Sequence, residues 1–118
     1  MPEPKVIRPK EQLPKDLDPQ GRRALQLFRD TVGGKDVGVN YGEWEPGASN
    51  GAYTRTKDEM IFALHGKGEV IVESGETYAM EPYTFIHIPA DTTHTHQNAG
   101  NGVYIQISFA PDGRYTQS

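Results

Sequence analysis

Apolar and polar positions along the chain fall into short runs cut by turn residues. Met60 to Leu64 is an apolar run of strand length, and Gly66 and Gly68 stop it at a turn. After it come EVIVE, a Ser74-Gly75 turn, ETYAM, Pro82, YTFIHI, a turn from Pro89 to Thr93, HTHQN, AGNG and VYIQISF. Upstream, ALQLFRDTV from Ala24 suits either a short helix or a strand. The turn residues Gly33-Gly34-Lys35-Asp36 and the following VGVNYGEW favour a hairpin. Short strands punctuated by Gly, Pro and Asn at this spacing predict an all-β barrel or sandwich. No internal repeat or low-complexity segment breaks the pattern.

Alternation within these runs assigns faces. Tyr104, Gln106 and Ser108 alternate with Val103, Ile105, Ile107 and Phe109, and His87 lies opposite Ile86 and Ile88. Tyr53, Arg55, Lys57 and Glu59 share a parity, so a continuous strand there would line one surface with a phenol, two cations and a carboxylate.

Spacing adds a second signal. Gly47, Tyr53, Arg55, Glu59 and Gly66 stand at the intervals of G-x5-H-x-H-x3-E-x6-G, with Tyr53 and Arg55 in the two histidine places. Pro89, Asp91, His94 and Asn98 follow G-x5-P-x-G-x2-H-x3-N, with Tyr83 and Asp91 in the two glycine places. Asp tolerates the left-handed backbone of a turn glycine. Both patterns, in this order, resemble the paired motifs of the cupin superfamily. The resemblance covers residues 47–98 and implies a small cupin-type jelly-roll β-barrel over residues 21–118, preceded by an arm over residues 1–20. It also implies a cavity into which His94 points near Glu59, and it favours the polar strand faces as the inward ones.

If Pro89 to Thr93 closes a hairpin, His87 pairs with His96, and His87, His94 and His96 form one cluster. Imidazoles with the Glu59 carboxylate suit a single divalent ion, Zn, Mn, Fe or Ni. The loss of two family ligands at Tyr53 and Arg55 suits a pocket with no metal at all. Arg55 opposes a nearby cation but would anchor an anionic substrate. His65, beside Gly66, reads as a surface turn residue.

Composition narrows the partners. At 118 residues the chain has room for one core. A net charge of −4 without clustered basic residues argues against nucleic acid. The absence of cysteine removes disulfides and thiolate metal sites. No run reaches the roughly 20 apolar residues that span a bilayer, and MPEPKVIRPK has no signal-peptide core, so a soluble cytoplasmic protein is expected. Five of the nine prolines lie in residues 1–20, which predicts an extended arm rather than a helix. That arm and the unused aliphatic faces predict a homodimer.

These readings converge on a cavity lined by Tyr53, Arg55, Glu59, His87, His94 and His96. His94 is the expected acid–base group, Glu59 its orienting or complementary partner, and Tyr53 a hydrogen-bond donor to developing charge. Arg55, His87, Gln106 and Tyr104 are the expected substrate contacts. With a metal bound, Glu59, His94 and His96, joined by His87, become its ligands. The implied activity is a lyase, dehydratase, cyclase or isomerase acting on an anionic or carbonyl-bearing small molecule. A metal-dependent oxygenase and a non-catalytic sensor or sugar-binding domain are the alternatives.

Overall fold

A computed structural model describes residues 3–32 and 35–111, with the side chains of residues 29–36 and 111 outside the description. Eight strands and one short helix follow in order. They are α1 (Pro9–Gln12), β1 (Arg22–Val32), β2 (Lys35–Trp44), β3 (Glu59–His65), β4 (Gly68–Val72), β5 (Thr77–Met80), β6 (Phe85–Ile88), β7 (His94–Asn98) and β8 (Tyr104–Pro111). All pairings are antiparallel. One sheet has the order β1-β2-β8-β3-β6 and the other β5-β4-β7. The expected strands form, and β1 with β2 makes the expected hairpin. Its turn residues Gly33 and Gly34 lie outside the described residues.

The sheets face each other as a small jelly roll. Ile61, Ala63, Val70, Met80, Ile88 and Tyr104 fill one zone between them, with Trp44 and Ala48. Burying apolar side chains there supplies the main stabilisation. Beside that zone the interior is largely polar: Glu59, His94, His96, Asn98, Gln106 and Ser108 are all buried. On β8 the polar face is therefore the inward one, as the resemblance implied.

The arm departs from expectation. Residues 9–12 form the single turn of α1, because Pro9 stands in its first turn, where a missing N–H costs nothing, while Arg8 and Leu13 on either side keep extended backbone. The arm's described residues add no strand to a sheet edge. It lies against its own hairpin instead, with Lys10 bound to Glu43 at 2.6 Å and Arg23 donating to the Lys15 carbonyl at 3.1 Å.

A second departure concerns residues 89–93, which do not close a hairpin. They carry the chain from one sheet to the other, since β6 pairs with β3 (Met60 opposite His87) and β7 pairs with β4 (Val70 opposite His96). Ile88 takes the inward face of β6, so His87 points out, half-exposed, and binds Asp58 at 2.8 Å. The aliphatic face wins on β6 because its inner side meets the apolar zone.

The glycine frame survives where glycine does not. Gly47 and Gly66 have φ of 83° and 81°, and Tyr83 and Asp91, in the glycine places of the second motif, have φ of 69° and 63°. An added Cβ at Gly66 would run into the Val103 carbonyl oxygen, whereas at Gly47 it meets nothing within 4 Å. Gly66→Ala should thus cost about 3 kcal/mol or more, as strain and collision add, and Gly47→Ala only about 1 kcal/mol. Urea midpoints of the two variants check this, and equal losses would refute it.

Candidate active site

Glu59 opens β3 with its carboxylate directed inward. His94 and His96, on one face of β7, approach it from the opposite sheet. Tyr53 comes from the loop before β3, pinned by reciprocal backbone hydrogen bonds of 3.0 Å with His94. All four side chains are at least 95 % buried, judged from residue exposures of 5 % for Tyr53, 2 % for Glu59 and His94 and 1 % for His96.

Their contacts form a connected network. The Tyr53 hydroxyl donates to Glu59 at 3.0 Å from Oε1 and 3.3 Å from Oε2, and lies 2.8 Å from His96 Nε2. His94 Nε2 is 3.1 Å from Glu59 Oε1, and its Nδ1 is 2.8 Å from the Thr92 carbonyl. Burial raises the carboxyl pKa of Glu59, but the hydrogen bonds and charges of His94 and His96 outweigh it and hold the group down at about 2. Burial lowers the pKa of His96, which favours its neutral ring despite the nearby carboxylate.

Proton positions follow from this count of partners. A neutral His96 has one N–H, and Tyr53 has one O–H committed to Glu59, so the Tyr53 contact is made by His96 Nε2–H. Nδ1 of His96 is then a bare acceptor, and it has no hydrogen-bond partner among the described residues. His94 Nδ1 faces a carbonyl and must carry its hydrogen. Its Nε2 thus meets Glu59 either as the second N–H of an imidazolium or as a lone pair beside an anion.

The second case suits a cation. One ligand atom each from Glu59, His94 and His96 lies within 4.8 Å of the others. Two imidazoles and a carboxylate are an accepted donor set for Zn, Mn, Fe or Ni, and the Thr92 carbonyl orients His94 as outer partners of ligating histidines do. The residues fit a divalent ion.

Beside this network is a cavity of about 280 Å³. Tyr53, Glu59, His96 and the expected Gln106 line it, but His94 and Arg55 do not. His94 sits behind Glu59. Arg55 is buried elsewhere, donating from Nη1 to the Asp58 carbonyl at 2.9 Å, because residues 54–58 form a loop and not a continuation of β3. His87 is on the outside. Tyr104 is in the apolar zone, with its hydroxyl donating to Gln106 Oε1 at 3.0 Å. His65 is exposed at the end of β3, as expected.

Residues outside both motifs, among them Arg22, Asn40, Trp44 and Ser108, also line the cavity, with Asn50 from an unspecified position of the first motif. Arg22 supplies the cavity's cation. Parity with Gly42, opposite Gln106, was the available signal for Asn40 and Trp44, whereas no signal marked Arg22.

The network makes stability acid-sensitive. Glu59, with its pKa lowered from 4.5 to about 2, contributes stability that is full above pH 4.5 and lost as pH falls toward 2. His96, with its pKa below 6.5, takes up a proton less readily when folded, so stability also falls as pH drops below 6.5. Denaturant midpoints should decline steadily from pH 7 to pH 3, and His96→Gln should remove the part of the decline that begins near 6.5. An unchanged wild-type midpoint across that range would contradict the assignment.

Comparison with known proteins agrees with this architecture. No curated protein matches the chain by sequence. Among solved structures, the polyketide cyclase RemF from Streptomyces resistomycificus superposes with a TM-score of 0.79 at 16% identity, over 97% of this chain and 83% of that one. KdgF from Halomonas sp. gives 0.75 at 17% identity, over 97% and 96%. A Cupin 2 conserved barrel domain protein from Salinispora arenicola gives 0.71 at 18% identity, over 92% and 89%. At such identities these likenesses concern the fold. The family model described as "Cupin domain" matches residues 40–107, more than half of the chain. The two degenerate motifs, the facing sheets and this match together place the chain in the cupin superfamily.

Proposed function

We propose that the chain is a small-molecule enzyme that moves a proton on a carbonyl-bearing substrate in the cavity, as a lyase, dehydratase, cyclase or isomerase does. The observation that carries this is His96, a buried imidazole that lines the cavity, whose Nδ1 has no hydrogen-bond partner among the described residues and whose Nε2 is wired through Tyr53 to the Glu59 carboxylate. In this reading His96 Nδ1 takes the substrate proton. The imidazolium formed is stabilised by Glu59, 3.7 Å from Nε2. Tyr53 holds the ring in that tautomer, and His94, behind Glu59, positions the carboxylate. His94 is therefore a positioning residue in this scheme, and His96 takes the acid–base role expected of His94. RemF, a cyclase, shows that this fold accommodates a small-molecule enzyme.

A second reading rests on the donor set. Glu59, His94 and His96 would hold a divalent ion, which when bound supplies a Lewis acid that polarises a carbonyl. Elemental analysis of protein purified without added metal separates the readings.

Deuterium uptake from heavy water into a panel of keto and hydroxy acids, followed by NMR, tests the proton transfer across many candidate substrates at once. The chain should catalyse exchange at a carbon next to a carbonyl, and Glu59→Gln and His96→Gln should slow it by about 10²–10⁴-fold. Full exchange by His96→Gln would exclude the mechanism.

We also propose a homodimer. On the outer face of the larger sheet Met60 and Phe85 are 51% and 71% exposed, and the register sets them beside Phe62, Ile107 and Phe109. A contiguous apolar face of this kind marks an association surface. Sedimentation should give twice the 13.1 kDa chain mass, and a Met60→Glu, Phe85→Glu variant the single mass. Wild-type protein sedimenting as one chain would remove the idea.

A further inference from the structure

The cavity has a second half that the proton-transfer network does not use. Arg22, the first residue of β1, lies over the Trp44 ring at 5.1 Å from its centroid. Asp18 fixes it there: Oδ2 accepts from Arg22 Nε at 3.0 Å, and Oδ1 from the backbone N–H groups of Arg22 and Gln20 at 2.9 Å each. The two terminal nitrogens of the guanidinium make no hydrogen bond among the described residues. A cation that is stacked, tethered through Nε and open at its outer edge presents a planar fork of donors.

Neutral amides stand near it. Asn40 Nδ2 is buried without a partner among the described residues. Gln106 commits Oε1 to Tyr104, which leaves its amide group for the cavity it lines. An unmet buried donor costs free energy until a ligand oxygen arrives. Aliphatic support is almost absent, because Ala24 is the only aliphatic residue among the described lining residues.

We infer that the substrate is a small hydroxylated carboxylate, its carboxylate seated on Arg22 and its hydroxyl groups on Asn40 and Gln106; this rests on the proton-transfer reading for the cavity's being a substrate site. A carboxylate matches the guanidinium fork and its single charge. A dianionic phosphate would be half neutralised, since Arg22 is the one lysine or arginine among the described lining residues. A plain fatty acid would leave the amide donors unmet and its chain unsupported. The volume of about 280 Å³ limits the ligand to a small metabolite. Arg22 thus takes the anchoring part that the sequence suggested for Arg55.

Calorimetric titration of the full chain decides the matter. The probes are the aldonates erythronate, ribonate and gluconate, their alditols, and butyrate, pentanoate and hexanoate. At least one aldonate should bind about 10-fold more tightly than its alditol and its fatty acid, a preference in the range of one charge-assisted pair. Arg22→Gln should abolish the preference over the alditol by weakening aldonate binding about 10-fold more than alditol binding. Asn40→Ala should weaken aldonate and alditol alike. No aldonate binding, an alditol or fatty acid bound equally well, or a preference that survives Arg22→Gln would each overturn the inference. If Arg22→Gln fails to fold, the wild-type panel decides alone. Binding is read without turnover, so the two readings fail separately. Aldonate preference without any deuterium exchange sinks only the proton transfer. Exchange on uncharged ketones, unaffected by Arg22→Gln, sinks only the substrate class.

Discussion

An ionised carboxylate buried between the two sheets is the constraint on which the rest of the site depends. Left alone, buried Glu59 would be expelled or protonated, since burying an unpaired charge costs several kcal/mol. Its pKa nonetheless falls, which requires hydrogen bonds and charge aimed at it from the facing sheet and a loop. Tyr53, His94 and His96 answer that need, and each is itself held by another group: Tyr53 by the His94 backbone, His94 by the Thr92 carbonyl, and β7 by Asn50 Oδ1, which accepts from the His96 N–H at 2.9 Å. The same arrangement that makes the charge tolerable sets the His96 imidazole 3.7 Å from a carboxylate.

Much of this was legible in the residues. Strand positions could be read because each run is short, periodic and bounded by Gly, Pro or Asn. The inward polar face of β8 was legible once the motif spacing was matched. The meeting of Glu59 with His94 followed from the same frame, and the pair lies 3.1 Å apart. Asp91 adopts the left-handed turn its side chain permits, and Tyr83 shows that the backbone demand outlasts the glycine that usually meets it.

What could not be read was long-range. A Pro-to-Thr turn looks the same whether it closes a hairpin or passes between sheets, so spacing alone groups His87 with residues that it never meets. Parity counting across residues 53–59 presumes an extended backbone, and the loop at 54–58 sends Arg55 away from the cavity. Arg22 is remote in sequence from both motifs, and its role is set by Asp18 and Trp44, a pairing that no local pattern announces. Pro9 reads as a helix breaker, although its position at a helix start makes it a helix starter.

The crossing at residues 89–93 has a further consequence, for folding. It separates β6 and β7 into different sheets, so Glu59 and its two histidines reach each other only when the sandwich shuts. The β7 side alone holds Tyr53, His94 and His96 but no carboxylate for them, and an early collapsed state with native strands but unjoined layers would leave Glu59 to the solvent. The β1–β2 and β4–β5 hairpins are local, but the network is built from contacts distant in sequence, which close late because loop entropy must be spent first. Recovery of the Glu59–histidine network after dilution from denaturant would therefore lag behind recovery of strand signal, and the chain would carry in its own chemistry a clock for the docking of its two sheets.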